Sequence, residues 1–156
     1  MNILNTDIVN STEDIYWDEI PRISQNQPKP VLILSAEYLP GSNEDDQLRA
    51  IMNAGCKLTA DQYNVVLMTP NEKIAWRQLR QAVQPRVVLL FNVTPANLGI
   101  SALFRLNELN NFDGCFWIPT FSLERISQDK ELKGYLWNNS LKPLFVNKTH
   151  GEIVGR

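Results

Sequence analysis

The rhythm of hydrophobic and polar positions changes at Val31 and again after Phe145. Between those points, short apolar runs at Val31–Leu34, Val65–Met68, Val87–Phe91 and Phe116–Ile118 alternate with longer segments whose apolar residues recur every three or four positions. Runs of Val, Leu and Ile without polar alternation are typical of strands buried on both faces, and the gaps between them leave room for crossover helices. The pattern predicts an α/β fold with a four-stranded parallel sheet. Right-handed crossovers then place helices on both faces, making a three-layer α/β/α sandwich.

Capping signals mark where the helices should start. Ser42 precedes Asp45 by three, Thr69-Pro70-Asn71-Glu72 combines an N-cap, a proline and an acid, and Thr94-Pro95 repeats the cap and proline. The first helix is expected to bury Leu48, Ile51 and Met52 and to end near Gly55, the second to bury Ile74, Leu79 and Val83, and the third Leu103, Leu106 and Leu109. A fourth is expected over Ser127–Phe145, where Leu132, Tyr135, Leu136, Leu141 and Leu144 recur at helical spacing. The stretch from Cys115 to Trp137 therefore reads as strand, turn and helix. In open α/β sheets, ligands gather at such turns on the carboxyl edge.

Residues 1–30 are rich in Asn, Ser, Asp and Gln and close on Gln27-Pro28-Lys29-Pro30, which favours extended chain. They read as an arm, residues 31–146 as the domain and residues 147–156 as a polar tail. Inside the arm sits a cluster of bulk, Ile15, Tyr16, Trp17 and Ile20, with Ser11 or Thr12 available to cap a short helix. Two readings stay open for it. The cluster folds back onto the domain, or it anchors the arm in a partner's groove, since Trp and Tyr dominate interface hot spots.

Composition narrows the chemistry. A chain of 156 residues, 44% hydrophobic, can bury one core without disulfides or metals. Its formal charge of −2, from 15 basic and 17 acidic residues, offers no positive excess for a phosphate backbone, so strong direct nucleic-acid binding is not expected. Cys56 and Cys115 are too few for a structural zinc site or a cysteine-ligated iron–sulfur cluster, and no metal or cofactor is implied. No basic-then-apolar leader opens the chain and no apolar run approaches the ~18 residues of a membrane span, which points to the cytoplasm.

Few residues stand out as catalytic. His150, the single histidine, lies in the tail. Glu44-Asp45-Asp46 suits the first turn of a helix, whose dipole favours acids, better than it suits a metal. Pro40-Gly41-Ser42 supplies one glycine where phosphate loops need several. Ser35 and Ser122 end strands, but neither lies in a nucleophile elbow and no core histidine can serve as their base.

The order of these segments nonetheless resembles a known frame. Val31-Leu-Ile-Leu-Ser35-Ala36-Glu37 leading to Pro40-Gly41, then Pro85 to Asn92, then Ile118-Pro119-Thr120-Phe121-Ser122, then Lys130 to Trp137, is similar to the uracil-DNA glycosylase superfold over about three quarters of the chain. The departures fall on the catalytic positions. The Glu37…Pro40-Gly41 loop is one residue too wide, Asn92 stands where the family tends to have glycine, and Phe121-Ser122-Leu123 replaces a His-Pro turn. The resemblance thus marks Glu37, Asn92 and Ser122 as degenerate site positions and implies no glycosylase activity, because that histidine stabilises the developing charge. The alternative it leaves is a divergent hydrolase or nucleotide-binding enzyme on the same frame.

Within that superfold the chain also resembles the psi subunits of bacterial DNA polymerase III holoenzyme, which are not enzymes. The shared features are Trp17 in an arm, Ser122-Leu123, and Lys133-Gly134-Tyr135-Leu136-Trp137. This resemblance implies an adaptor of the replicative clamp loader. The arm would dock on the loader's ATPase subunits, and the domain would meet a chi-like subunit and, through it, single-strand-binding protein.

Overall fold

The computed structural model describes residues 28–146; Ile15, Tyr16, Trp17, Ile20 and His150 lie outside the described residues. Each of the four apolar runs becomes a strand: β1 (Val31–Ala36), β2 (Tyr63–Met68), β3 (Val87–Phe91) and, after a short β4 (Asn110–Phe112), β5 (Cys115–Thr120). The fold is α/β, with one five-stranded mixed sheet in the order β2-β1-β3-β5-β4. β1 pairs in parallel with β2 and β3, and β3 with β5, so that Ile33 faces Val65 and Leu89, and Leu89 faces Ile118.

The purely parallel, four-stranded sheet is corrected by β4, which pairs antiparallel with β5 at the edge. Its residues, Asn-Asn-Phe, carry no apolar run. The signal for it is the turn instead: Asp113 (φ +54) and Gly114 (φ +77) are both left-handed, the pairing that a two-residue hairpin requires.

Side chains alternate across the sheet into two cores. Val31, Ile33, Val87, Leu89, Phe91 and Ile118 face one, and Leu32, Leu34, Val88, Leu90 and Trp117 the other. The first core is covered by α1 (Asn43–Arg49), which buries Leu48 and continues into a π-helical segment, Ala50–Gly55, burying Ile51 and Met52. It is also covered by α3 (Leu123–Gln128), α4 (Lys130–Leu136) and a second π-helical segment, Trp137–Val146. α2 (Trp76–Val83) covers the second core through Trp76, Leu79 and Val83. Full burial of each such aliphatic side chain is worth roughly 1.5–3 kcal/mol. Among the described residues no helix is long and apolar enough to cross a membrane.

Three helix expectations are corrected. Thr69 and Glu72 close a turn rather than start a helix, Glu72 donating its N–H to the Thr69 carbonyl (3.1 Å) while its carboxylate accepts from the Thr69 N–H (3.1 Å). α2 begins only at Trp76, and Ile74 is buried from the loop, its N–H bonded to the Asn97 carbonyl at 3.0 Å. The helix meant to bury Leu103, Leu106 and Leu109 is absent: after one 3-10 turn at Pro95–Leu98 the chain runs on without regular structure. Leu98, Ile100, Ala102 and Phe104 face the core at a period of two, leaving Leu103 98% and Leu106 50% exposed. The aromatic set decides the contest, because the Phe104 ring packs 5.3 Å from Trp117 and 5.9 Å from Phe112. Finally, the single helix over Ser127–Phe145 is broken at Asp129, whose extended backbone (φ −130°) ends α3 and whose carboxylate accepts the Leu132 N–H at 3.1 Å to start α4.

Candidate functional site

At the carboxyl edge three strand ends converge. β1 leads into Glu37, whose N–H donates to the Met68 carbonyl at the end of β2 (3.2 Å), and then into a turn closed by Ser42 N–H on the Leu39 carbonyl (3.0 Å). Gly41 holds φ +77 there, a conformation that side chains resist. β3 ends in Asn92 (φ +59), one of the few non-glycine types that tolerates this backbone, with its N–H on the Thr120 carbonyl at 3.1 Å. β5 ends in Thr120, and Ser122 follows as the N-cap of α3.

The structure thus brings Glu37, Asn92 and Ser122 together, with Ser35, Tyr38, Glu44 and Glu124, around a cleft of about 210 Å³. That lies below the ~300 Å³ at which pockets for drug-sized ligands begin. The sequence reading missed Glu124, which reaches the cleft only because Ser122 starts a helix there. It assigned Glu44 to the helix dipole alone.

The hydroxyls are committed to structure. Ser122 Oγ accepts the Arg125 N–H at 3.2 Å, and Ser35 Oγ donates to the adjacent Ala36 carbonyl at 2.9 Å. Asp45, from the acidic triplet, is also spent: it accepts from the Gly41 N–H at 2.8 Å and pairs with Arg49 at 3.1 Å. Burial, reinforced by the negative charge of Asp45, raises the Tyr38 phenol pKa, so the phenol stays neutral. Among the described residues, Glu37, Glu44 and Glu124 line the cleft and no Lys or Arg does. The one arginine of this turn, Arg125, sits over the Phe121 ring, 4.0 Å from its centroid.

Such a cleft can take a small neutral or cationic group and repels phosphate. Among the described residues no group of His, Cys, Asp and Glu could hold a metal ion. The cysteines are remote, buried and inert: burial pushes the Cys56 thiol up to about 12 and also raises that of Cys115, which opens β5 at the opposite edge of the sheet. No protein-family model matches this chain, and no curated protein matches it.

Proposed function

We propose that this chain is a non-enzymatic adaptor of the replicative DNA polymerase III clamp-loader complex, a psi-like protein on a degenerate three-layer, uracil-DNA glycosylase-like frame. Its arm, through Ile15, Tyr16, Trp17 and Ile20, binds the loader ATPase subunits, and its domain meets a chi-like subunit that links to single-strand-binding protein. The observation that carries this reading is the state of the carboxyl edge. Ser122 caps a helix where the glycosylases place a catalytic turn, and among the described residues the cleft wall holds three carboxylates and no cation. A site that must accept a nucleotide or a DNA strand needs the opposite charge.

One observation favours the second reading, a divergent hydrolase or nucleotide-binding enzyme. The carboxyl edge is open as a cleft rather than filled, whereas an adaptor has no use for an open one.

Binding of the full chain to purified loader ATPase subunits tests the proposal. Trp17→Ala is expected to weaken the complex by about 2 kcal/mol or more, roughly 30-fold in Kd. Failure of the unaltered chain to bind those subunits overturns the adaptor reading. Uracil release from single- or double-stranded DNA that is lost in Glu37→Gln or Asn92→Ala would establish the enzyme instead.

A further inference from the structure

A second hollow lies on the helical layer over the first core, between the two π-helical segments. It has a volume of about 170 Å³ and is walled by Ala50, Ile51 and Gly55 on one side and Leu136, Trp137 and Leu141 on the other, with Lys133 at the rim. Its walls are apolar because two small residues face a large one. A Cβ at Gly55 would stand 3.4 Å from the Trp137 ring, so the absence of side chains at Gly55 and beyond Cβ at Ala50 leaves the space. π-helical turns are rare and gather at functional sites. An apolar cavity of about 150 Å³ takes a benzene, so this one has the dimensions of a single aromatic side chain.

We propose that this hollow is the seat of Trp17, delivered by the chain's own residues 1–27. The described chain enters at the amino edge of the sheet, where the Lys29 N–H donates to the Val83 carbonyl at the end of α2 (3.1 Å), and the Lys29 side chain turns towards the side of the hollow. Lys29 Nζ donates to the carbonyls of Ala60 (3.2 Å) and Tyr63 (3.5 Å), and the Tyr63 hydroxyl donates to Asn53 Oδ1 (3.2 Å), two residues from Gly55. From Pro28 back to Trp17 is 11 residues (28 − 17), enough for roughly 36–40 Å of extended chain, well beyond the radius of a domain this size.

Charge selects the same occupant. Glu13 and Asp14 precede the Ile15-Tyr16-Trp17 cluster and Asp18 and Glu19 follow it, opposite a rim whose charged residue is Lys133. The other outlying segment, 147–156, has no aromatic residue and carries Lys148 and Arg156 against Glu152. A Trp in the seat is withdrawn from solvent, and any partner that uses Trp17 as its anchor must first compete it out. The docking itself depends on no partner, so its test is separate from that of the adaptor reading.

The test uses the full chain labelled with 5-fluorotryptophan, in which Trp17, Trp76, Trp117 and Trp137 each give one fluorine resonance and Trp17→Phe identifies the first. The Trp17 resonance is expected away from its position in denaturant, and at the same place over a tenfold range of concentration. Ala50→Phe, which fills the hollow from an exposed position, and Lys133→Glu, which reverses the rim charge, should each move it towards the denaturant position. Trp17→Ala should shift Trp137. Unchanged Trp76 and Trp117 signals report that both variants are folded. A Trp17 resonance at the denaturant position in the unaltered chain, or one unmoved by both variants, overturns the proposal. A resonance that moves with concentration does so too, by assigning the seat to a second copy of the chain.

Discussion

Ser140 donates a hydrogen bond of 2.6 Å to the backbone carbonyl of Asn107, with Ser140 fully buried and Asn107 6% exposed. Asn107 holds φ +60, gives its N–H to the Pro119 carbonyl at 2.7 Å and accepts the Thr120 hydroxyl through its side chain. One residue therefore ties the irregular crossover after β3 to the end of β5 and to the last helical segment. Ser140→Ala removes the donor and leaves a buried carbonyl unpaired, and should lower the unfolding free energy by about 1–3 kcal/mol. Asn139→Ala, at the exposed neighbour, should change it by no more than about 0.5 kcal/mol. Denaturant titration of the two variants checks the contrast, and equal effects would remove Asn107 from its role as the tie.

A second polar contact supports the β4–β5 turn. Asp113 accepts the Trp76 indole N–H at 2.8 Å and pairs with Arg80 at 3.3 Å. The Arg80 guanidinium is half exposed, so the ion pair is worth under about 1 kcal/mol, whereas the indole is nearly buried and has much to lose. Asp113→Ala should cost about 1–3 kcal/mol, Arg80→Ala distinctly less, and Asp113→Asn least, since Asn keeps both an acceptor and a tolerance for φ +54. Thermal unfolding of the three variants gives the order.

The thiols predict an alkaline limit to stability. Burial raises Cys56 from 9.0 to about 12, so the folded state keeps the proton while the unfolded chain loses it. This contribution is complete below pH 9 and is lost between pH 9 and about 12, at up to ~1.4 kcal/mol per pH unit. Guanidinium midpoints between pH 8 and 11 should therefore fall less steeply in Cys56→Ala than in the unaltered chain. An identical slope would show that Cys56 does not carry the effect.

The strands that run through the core were legible because burial on both faces leaves an unbroken apolar run, as at Val87–Phe91. Legibility failed where two patterns overlapped. Leu103, Leu106 and Leu109 repeat at helical spacing, but the interleaved Leu98, Ile100, Ala102 and Phe104 repeat at strand spacing, and only the position of Trp117 decides between them. β4 was hidden because an edge strand of three residues needs no apolar run, and its one signal is the Asp113-Gly114 turn. At the carboxyl edge, Ser35 and Ser122 could be read from strand ends and Glu37 and Asn92 from the resemblance alone, while Glu124 and Tyr38 depended on how the following turns fold. The hollow under Trp137 had no signature at all, because it arises from where two separate helical segments fail to fill the space between them.

The Asp113-Gly114 hairpin also has the shortest loop to close of any strand pair in the sheet. β4 and β5 are joined by two residues and can zip on the microsecond scale of an isolated hairpin, whereas β1 meets β3 only after the chain between Ala36 and Val87 has closed, β2 included. Trp117 rides on that hairpin, with its indole N–H on the Phe112 carbonyl at 3.0 Å, and meets Trp76 edge-on at 4.6 Å. Closure of this short hairpin thus presents an oriented ring, and the crossovers that close longer loops have a surface in register to pack against.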